Sequence, residues 1–406
     1  MNDCSFLLGV YKIMQKTSRL QFLGPNGHSL ICVIIASGIF GICVGMVMPL
    51  LPLRLNSWGT SELWIGVNAL SSSMAILLVA PAISGLVSRI GIANTVYLGI
   101  LCFALSVVGL GLYNDIYIWF GLRLILGFGI ALLWIGMELW VNAAAPDHLR
   151  GRVLAVYAGV FAGFTATGPI VLNFVGINGF VPFLIIAIAA MVSMIPIFLG
   201  KNTAPQFKGN IHVSIKSVIF LAPILMVVGV MAGLGDGSAW SLLALFGVKA
   251  GLSESAAILT TSMHLAGAVV CQIPIGYLTD KMSRSWLLVI MAVGGLLATI
   301  IIWAVESNSI IFWVALFLNG GVLMGLYTIS LAIIGSRFAG SGMASANAAF
   351  IMCFELGIMM GAPASGVAME WAGAEGLLYV IGGSCIVVLL AMPFHFVRKA
   401  KRKLSI

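Results

Sequence analysis

The chain has 406 residues, of which 61% are hydrophobic and 8% are charged, and its mean hydropathy is +1.14. Soluble domains carry about 25% charged residues. This composition excludes a soluble globular protein and indicates that the lipid bilayer surrounds most of the chain.

Twelve long apolar runs predict an all-α polytopic membrane protein with twelve transmembrane helices, and we call these runs spans 1 to 12. Each is long enough for a helix to cross a hydrocarbon layer of roughly 30 Å. The predicted spans are 28–54, 63–88, 92–113, 117–144, 151–175, 179–200, 217–247, 255–280, 285–305, 309–337, 342–369 and 376–397.

The charges support this count. Every lysine and arginine falls at one predicted membrane face except Arg54, Lys249 and Arg123. Acidic residues, such as Glu62 and Glu254, are enriched at the other face. Positive residues favour the cytoplasmic side, so both termini are predicted to be cytoplasmic in a bacterial inner membrane. The net charge of +8 has this origin and does not indicate a nucleic-acid partner.

The segments outside the spans are short. Residues 1–27 are predicted to form a cytoplasmic extension rather than a signal peptide, and 399–406 a basic cytoplasmic tail. The seven cysteines are scattered and none forms a Cys-x-x-Cys pair, which is typical of small core residues. No metal site or cofactor is expected.

An internal repeat relates the two halves of the chain. Glycines recur at a constant offset of 192 residues, as from Gly41 to Gly233 and from Gly45 to Gly237. The pattern predicts two pseudo-symmetric six-helix bundles, 28–200 and 217–398, joined by a cytoplasmic linker at 201–216.

Three motifs resemble those of the major facilitator superfamily. Gly276-x-x-x-Asp280-Lys281-x-x-Arg284 resembles its loop motif, and Arg123-x-x-x-Gly127-x-Gly129 resembles its fourth-span motif. Gly168-Pro169 and Gly361-Ala-Pro363 partly resemble the Gly-Pro motif of its antiporters. The segment from Glu138 to Tyr157 is similar to the bacterial YcaD-like group. The resemblance covers nearly the whole chain and implies a transporter in which spans 1, 4, 7 and 10 line a central cavity.

Ionisable residues within spans are costly, so they mark a transport pathway or a buried pair. The candidates are Arg123, Asp236, His264 and Glu355. Glu355 is the first choice for a proton carrier, because burial favours the neutral form of a carboxyl. Arg123 and Asp236 are expected to face each other across the cavity. The alternatives are a structural acid for Glu355, an ion pair for Arg123, a helix-breaking Gly-Asp-Gly hinge for Asp236, and packing for His264.

Aromatic residues on the predicted cavity spans are candidates for an aromatic wall. Trp240 on span 7 and Tyr327 on span 10 are the main ones, with Trp134 on span 4. Anchoring at the membrane interface or core packing is the alternative interpretation of each.

The loop motif predicts a gate at the cytoplasmic face. Gly276 is expected to let helices approach closely, and Asp280 to meet the start of span 5 at Arg150 and Arg152. Glu138 is expected to pair with one of these arginines. In the first-half copy Arg89 takes the place of Lys281, but Ser84 and Ser88 replace the glycine and the acid, which predicts an asymmetric latch. The gating candidates are Gly276, Asp280, Lys281, Arg284, Arg89, Glu138, Arg150 and Arg152.

These features predict a secondary active transporter, not an enzyme, that moves a small organic solute by alternating access. Proton coupling is expected, with export by antiport favoured over uptake by symport, and we expect a monomer. The alternative from another class is a transporter-like receptor that binds a solute without moving it. A membrane enzyme ranks third, since no His-Glu-x-x-His or Gly-x-Ser-x-Gly motif occurs.

Overall fold

The computed structural model describes residues 26–146, 148–204, 223–307, 309–337 and 341–404. The predicted extension up to Pro25, residues 205–216 of the linker and 217–222 of span 7 lie outside the described residues. The spans form the helices Gly27–Ser57, Glu62–Ile90, Ile92–Leu112, Ile116–Ala144, Arg150–Val175, Val181–Val192 with Met194–Gly200, Pro223–Lys249, Glu254–Val270 with Gln272–Lys281, Arg284–Ala304, Ile310–Arg337, Ser341–Ala372 and Glu375–Leu404.

The twelve predicted spans are confirmed as helices long and apolar enough to cross a membrane. Spans 6 and 8 are each divided into two helices, at Ser193 and at Cys271. Both divisions lie three residues before a proline, Pro196 and Pro274. Proline lacks an N–H donor and its ring crowds the preceding turn, which accounts for an interruption there. Pro169 and Pro363, in contrast, lie inside continuous helices.

The glycine repeat corresponds to repeated helix packing. A side chain at Gly41 or Gly45 would collide with the backbone of span 5 at Phe161 and Thr165. A side chain at Gly233 or Gly237 would collide in the same way with the backbone of span 11. Span 1 therefore packs on span 5 as span 7 packs on span 11, and these glycines allow the close approach.

The helices that the resemblance assigns to the lipid-facing side present apolar side chains outward. Leu105 on span 3, Ile188 on span 6, Leu297 on span 9 and Leu390 on span 12 are all exposed. An exposed apolar surface of this kind is suited to lipid rather than to water.

The two halves meet along span 2 against span 11 and span 5 against span 8, and we call these contacts the boundary between the halves. At the predicted outer face the boundary is closed. Gly66 lies against the backbone of Ala362, and Gly366 lies against the backbone of Glu62. Glu62 of the first half also forms an ion pair with Lys249 of the second.

At the predicted inner face the halves separate. The first helix of span 8 packs on span 5, but the second, Gln272–Lys281, packs on spans 9 and 10 and not on span 5. Among the described residues, a side chain at Gly276 would meet nothing from another helix within 4 Å, and the same is true of Gly85 in the first half. The close helix approach expected at Gly276 is therefore absent from this conformation.

Candidate functional site

A cavity lies at the boundary between the halves, and six spans contribute to its wall. Most of the lining is apolar, with one guanidinium, one carboxylate, three serine hydroxyls and three large aromatic rings. The lining residues are Val44, Val47, Met48, Ala69, Ser72, Ser73, Ile76, Arg123, Leu126, Ile130, Trp134, Phe161, Trp240, Ser241, Glu355 and Ile358. The cavity thus brings together four of the predicted candidates, namely Arg123, Trp134, Trp240 and Glu355.

Arg123 is held by neutral groups of span 2. One terminal nitrogen, Nη1, donates to Oδ1 of Asn68 at 3.0 Å, and Ser72 donates to the Arg123 carbonyl at 3.1 Å. Arg123 is only 8% exposed, and its Nε has no hydrogen-bond partner. Across the described part of the chain no acidic side chain forms an ion pair with it. The ion-pair alternative for Arg123 is therefore wrong for these residues, and its partner is an amide.

Glu355 lies on span 11 and is half-buried in the cavity wall. Its carboxyl is within electrostatic range of Asp236 in the same half. The cavity therefore carries a cationic group from the first half and an acidic group from the second. Neither charged group is repeated in the other half of the chain. At the 192-residue offset, Ala315 corresponds to Arg123 and Gly163 corresponds to Glu355.

Asp236 and His264 form a buried pair inside the second half. Nε2 of His264 lies 3.3 Å from Oδ1 of Asp236, and the two residues are 1% and 2% exposed. Asp236 is not among the cavity-lining residues. The expectation that Asp236 faces Arg123 across the cavity is wrong for this structure. The hinge alternative is also wrong, because span 7 is one continuous helix through Gly235 and Gly237.

The aromatic residues divide into two groups. Trp134 and Phe161 lie side by side with ring centroids 5.6 Å apart, and Trp240 lines the cavity from the other half. The Nε1 of Trp240 is buried without a hydrogen-bond partner. Tyr327 packs instead on Phe350 and Phe354, at ring-centroid distances of 5.5 and 4.6 Å, and is not among the residues lining this cavity.

The predicted gating residues lie at the predicted inner face, mostly exposed. Asp280 is exposed and forms no ion pair with any described residue, so its expected contact with Arg150 and Arg152 is absent here. Glu138 is likewise exposed, and lies within electrostatic range of Tyr157 rather than in an ion pair with Arg152.

The rest of the loop motif makes contacts within the second half. Arg284 donates to the carbonyl of Ala332 on span 10 at 2.7 Å. Lys281 lies over the ring of Tyr277, 4.4 Å from its centroid. In the first half, Arg89 is exposed and Ser88 donates to the Gly85 carbonyl of its own helix at 2.8 Å. The motif's contacts therefore stay within the second half, where Arg284 ties the start of span 9 to span 10.

Sequence reasoning missed two groups that the structure places at functional positions. Asn68 is the partner of Arg123, and Glu62 with Lys249 joins the halves at the predicted outer face. A signal for Asn68 existed, because Asn68, Ser71, Ser72 and Ser73 form a polar cluster within an apolar span. The Glu62–Lys249 pair had no local signal, since each residue reads as an ordinary helix end.

A family model for the Major Facilitator Superfamily matches residues 33–224 and 225–405. The chain belongs to this superfamily. Its relatives include the uncharacterized MFS-type transporter YfkF of Bacillus subtilis, 24% identical over 371 residues that cover 90% of this chain and 94% of that protein. The uncharacterized MFS-type transporter YcaD of Escherichia fergusonii is 24% identical over 359 residues, covering 86% and 91% of the two chains.

Solved structures share the fold. The nucleoside transporter NupG has a TM-score of 0.75 at 13% identity, with 91% of this chain and 99% of that chain covered. A bacterial homolog of the human lysosomal transporter Spinster, in an inward-facing and unoccupied conformation, has a TM-score of 0.72 at 14% identity, covering 92% and 97%. At these identities the likeness establishes the fold alone.

Family membership and the twelve spans make the protein a multi-pass secondary transporter of an inner membrane, and not an enzyme. The predicted similarity to the YcaD group and the predicted fold class are both confirmed. The positions of the two termini, the division at 200 and 217 and the roles of the site residues remain predictions.

Proposed function

We propose that this transporter moves a small organic solute in exchange or in company with protons, and that Glu355 is the group that takes up and releases the proton. The observation that supports this is the presence of Glu355 and Arg123 in one cavity at the boundary between the halves. That cavity lies where alternating access exposes a site first to one side of the membrane and then to the other.

The other ionisable groups suit this role less well. Arginine stays charged under all physiological conditions, so Arg123 does not release a proton. Asp236 is engaged with His264 away from the cavity lining. Glu355 alone among the described residues combines a carboxyl group with a place in the cavity wall.

Export by antiport is the direction that the Gly-Pro elements of spans 5 and 11 favour. Both elements pack against the partner helix of their own half: Gly168 on span 1 and Gly361 on span 7. Uptake by symport is the second candidate, and a specific observation favours it. Arg123 has no acidic partner among the described residues, so a protonated Glu355 leaves a positive cavity that attracts an anion.

Proteoliposomes loaded with a solute panel and an internal pH dye test this proposal. Outward solute movement acidifies the interior in an antiporter and makes it alkaline in a symporter. Glu355→Gln should abolish this solute-dependent pH change. Glu370→Gln is the matched control, because Glu370 lies on the same helix, is exposed, and is outside the cavity lining. Solute transport that is indifferent to the pH gradient would contradict proton coupling.

A further inference from the structure

We propose that the cavity binds a small organic anion, whose carboxylate is held by Arg123 and Asn68 and whose apolar body lies against Trp134, Phe161 and Trp240. This inference rests on the proposed function for the existence of a substrate. It adds the chemical class of that substrate and the place of its charged group.

The first step is the unused bonding capacity of Arg123. A guanidinium has five N–H donors. In Arg123, Nη1 donates to Asn68, whereas Nε has no hydrogen-bond partner among the described residues. Asn68 is fully buried, and its Nδ2 also has no partner. Buried donors without partners are costly, and a buried cation without an anion is more so. A ligand carboxylate supplies two acceptor oxygens and the missing negative charge, which suits a guanidinium in particular.

The second step is the chemistry of the opposite wall. Trp240 presents a buried indole N–H without a partner, and this group can only donate. The side chains of Arg123 and Trp240 can only donate, so a ligand that bonds to them must bring acceptors. Trp134 and Phe161, with ring planes 39° apart, add an apolar aromatic surface on the first-half side. A cationic ligand is disfavoured, since it would be buried beside Arg123, and Glu355, the one carboxyl among the described lining residues, is neutral when it carries the proposed proton.

The third step is the asymmetry of the repeat. At the 192-residue offset, Thr260 stands opposite Asn68 and Ala315 opposite Arg123. Residues that the fold requires, such as Gly41 and Gly233, recur in both halves. The Arg123–Asn68 group exists in one half only, as expected for a binding group rather than for a part of the common scaffold.

Binding to the purified full-length protein tests the proposal with three matched probes: 3-phenylpropionate, its neutral amide and 3-phenylpropylamine. Wild-type protein should bind the carboxylate at least tenfold more tightly than the amide, and the amine most weakly of the three. Arg123→Gln should remove this tenfold preference while leaving amide binding. Arg123→Lys should retain part of it.

Asn68→Asp provides a second test that keeps Arg123 in place. It puts a carboxylate within bonding distance of the guanidinium at almost unchanged volume, and should therefore abolish the preference for the carboxylate probe. Asn319→Asp is the matched control, because Asn319 is equally buried but bonds to Thr299, outside the cavity lining. Melting temperatures of both variants show whether a loss reflects unfolding.

Three results would overturn the inference: no binding of the carboxylate probe at millimolar concentration, tighter binding of the amine, or a folded Asn68→Asp protein with an unchanged preference. The proposed function fails separately. If Glu355→Gln leaves pH-coupled transport intact while Arg123→Gln still removes the carboxylate preference, proton coupling through Glu355 is wrong and the anion site stands.

Discussion

The two ends of the boundary between the halves differ sharply in this structure. At the predicted outer end, Gly66 and Gly366 place helix backbones of opposite halves in contact, and Glu62 pairs with Lys249. At the predicted inner end, a side chain added at Gly85 or Gly276 would have no neighbour from another described helix within 4 Å. Glycine therefore allows close contact between helices of opposite halves at the outer end, whereas at the inner end the equivalent space is empty of described residues.

This difference indicates what the loop motif does in each state. With the inner end open, Asp280 is exposed while Arg284 braces span 10 of its own half. We expect the motif to make contacts across the boundary only in the opposite state, in which the inner end closes and the outer end separates. Alternating access then consists of exchanging one set of close glycine contacts for the other.

The largest expected effect comes from filling a glycine at the closed outer end. Gly66→Leu must push span 2 away from Ala362 of span 11, and overpacking of this kind costs about 1–3 kcal/mol. The cost falls only on the outer-closed state, so the population should shift roughly 5- to 150-fold toward the outer-open state. Spin-label distances between Asn114 and Glu306, in a background without the seven native cysteines, should lengthen.

Gly276→Leu is the counterpart at the inner end. It meets empty space in this structure, so the outer distance should stay short and the inner distance, measured between Asn94 and Ser283, should stay long. Leucine at Gly276 is expected to crowd only the inner-closed state, so any shift should favour the inner-open state, opposite to the shift that Gly66→Leu produces. A shift in the same direction for both would contradict the assignment of one closed and one open end.

A smaller effect is expected from the ion pair at the outer end. Glu62→Gln or Lys249→Gln should favour outer opening only modestly, because partly exposed ion pairs contribute about 0.2–1 kcal/mol. The exchanged pair, Glu62→Lys with Lys249→Glu, should restore the distance between Asn114 and Glu306. High salt should weaken the wild-type closure in the same direction as the single variants.

The exchanged pair is the decisive control, because it changes both residues and keeps only the attraction between opposite charges. A restored Asn114–Glu306 distance would therefore be due to that attraction. If the exchanged pair behaves as the sum of the two single variants, the two side chains do not act on each other and the ion pair has no part in closure.

Much of the fold was predictable because the signals are local and continuous. Twelve uninterrupted apolar runs define the spans, and the glycine offset predicts two related halves. The equivalent packing of span 1 on span 5 and of span 7 on span 11 came from the structure. The divisions of spans 6 and 8 were not predicted. Pro196 and Pro274 accompany a break, whereas Pro169 and Pro363 do not, so the presence of a proline alone does not predict where a helix divides.

The candidate site was predictable in part. Arg123, Glu355 and Trp240 stand out as charged or amphipathic residues in apolar spans, and all three line the cavity. The pairing of side chains was not predictable. Asp236 bonds to His264 rather than facing Arg123, because helix rotation decides which neighbour a buried group meets. The Glu62–Lys249 pair depends on the conformational state as well, and one sequence encodes more than one state.

The smallest expected effect distinguishes the two copies of the loop motif. Asp280 is exposed and without an ion-pair partner in the described structure, so Asp280→Asn should leave the energy of the inner-open state unchanged. It should weaken only the inner-closed state, by about 1 kcal/mol for a lost partly exposed charge pair, which lengthens the mean Asn94–Ser283 distance.

Ser88 donates to the carbonyl of Gly85 within its own helix, and Ser88→Ala removes no charge. Ser88→Ala should therefore leave the distance distribution unchanged, and equal shifts in the two variants would show that the latch is symmetric after all.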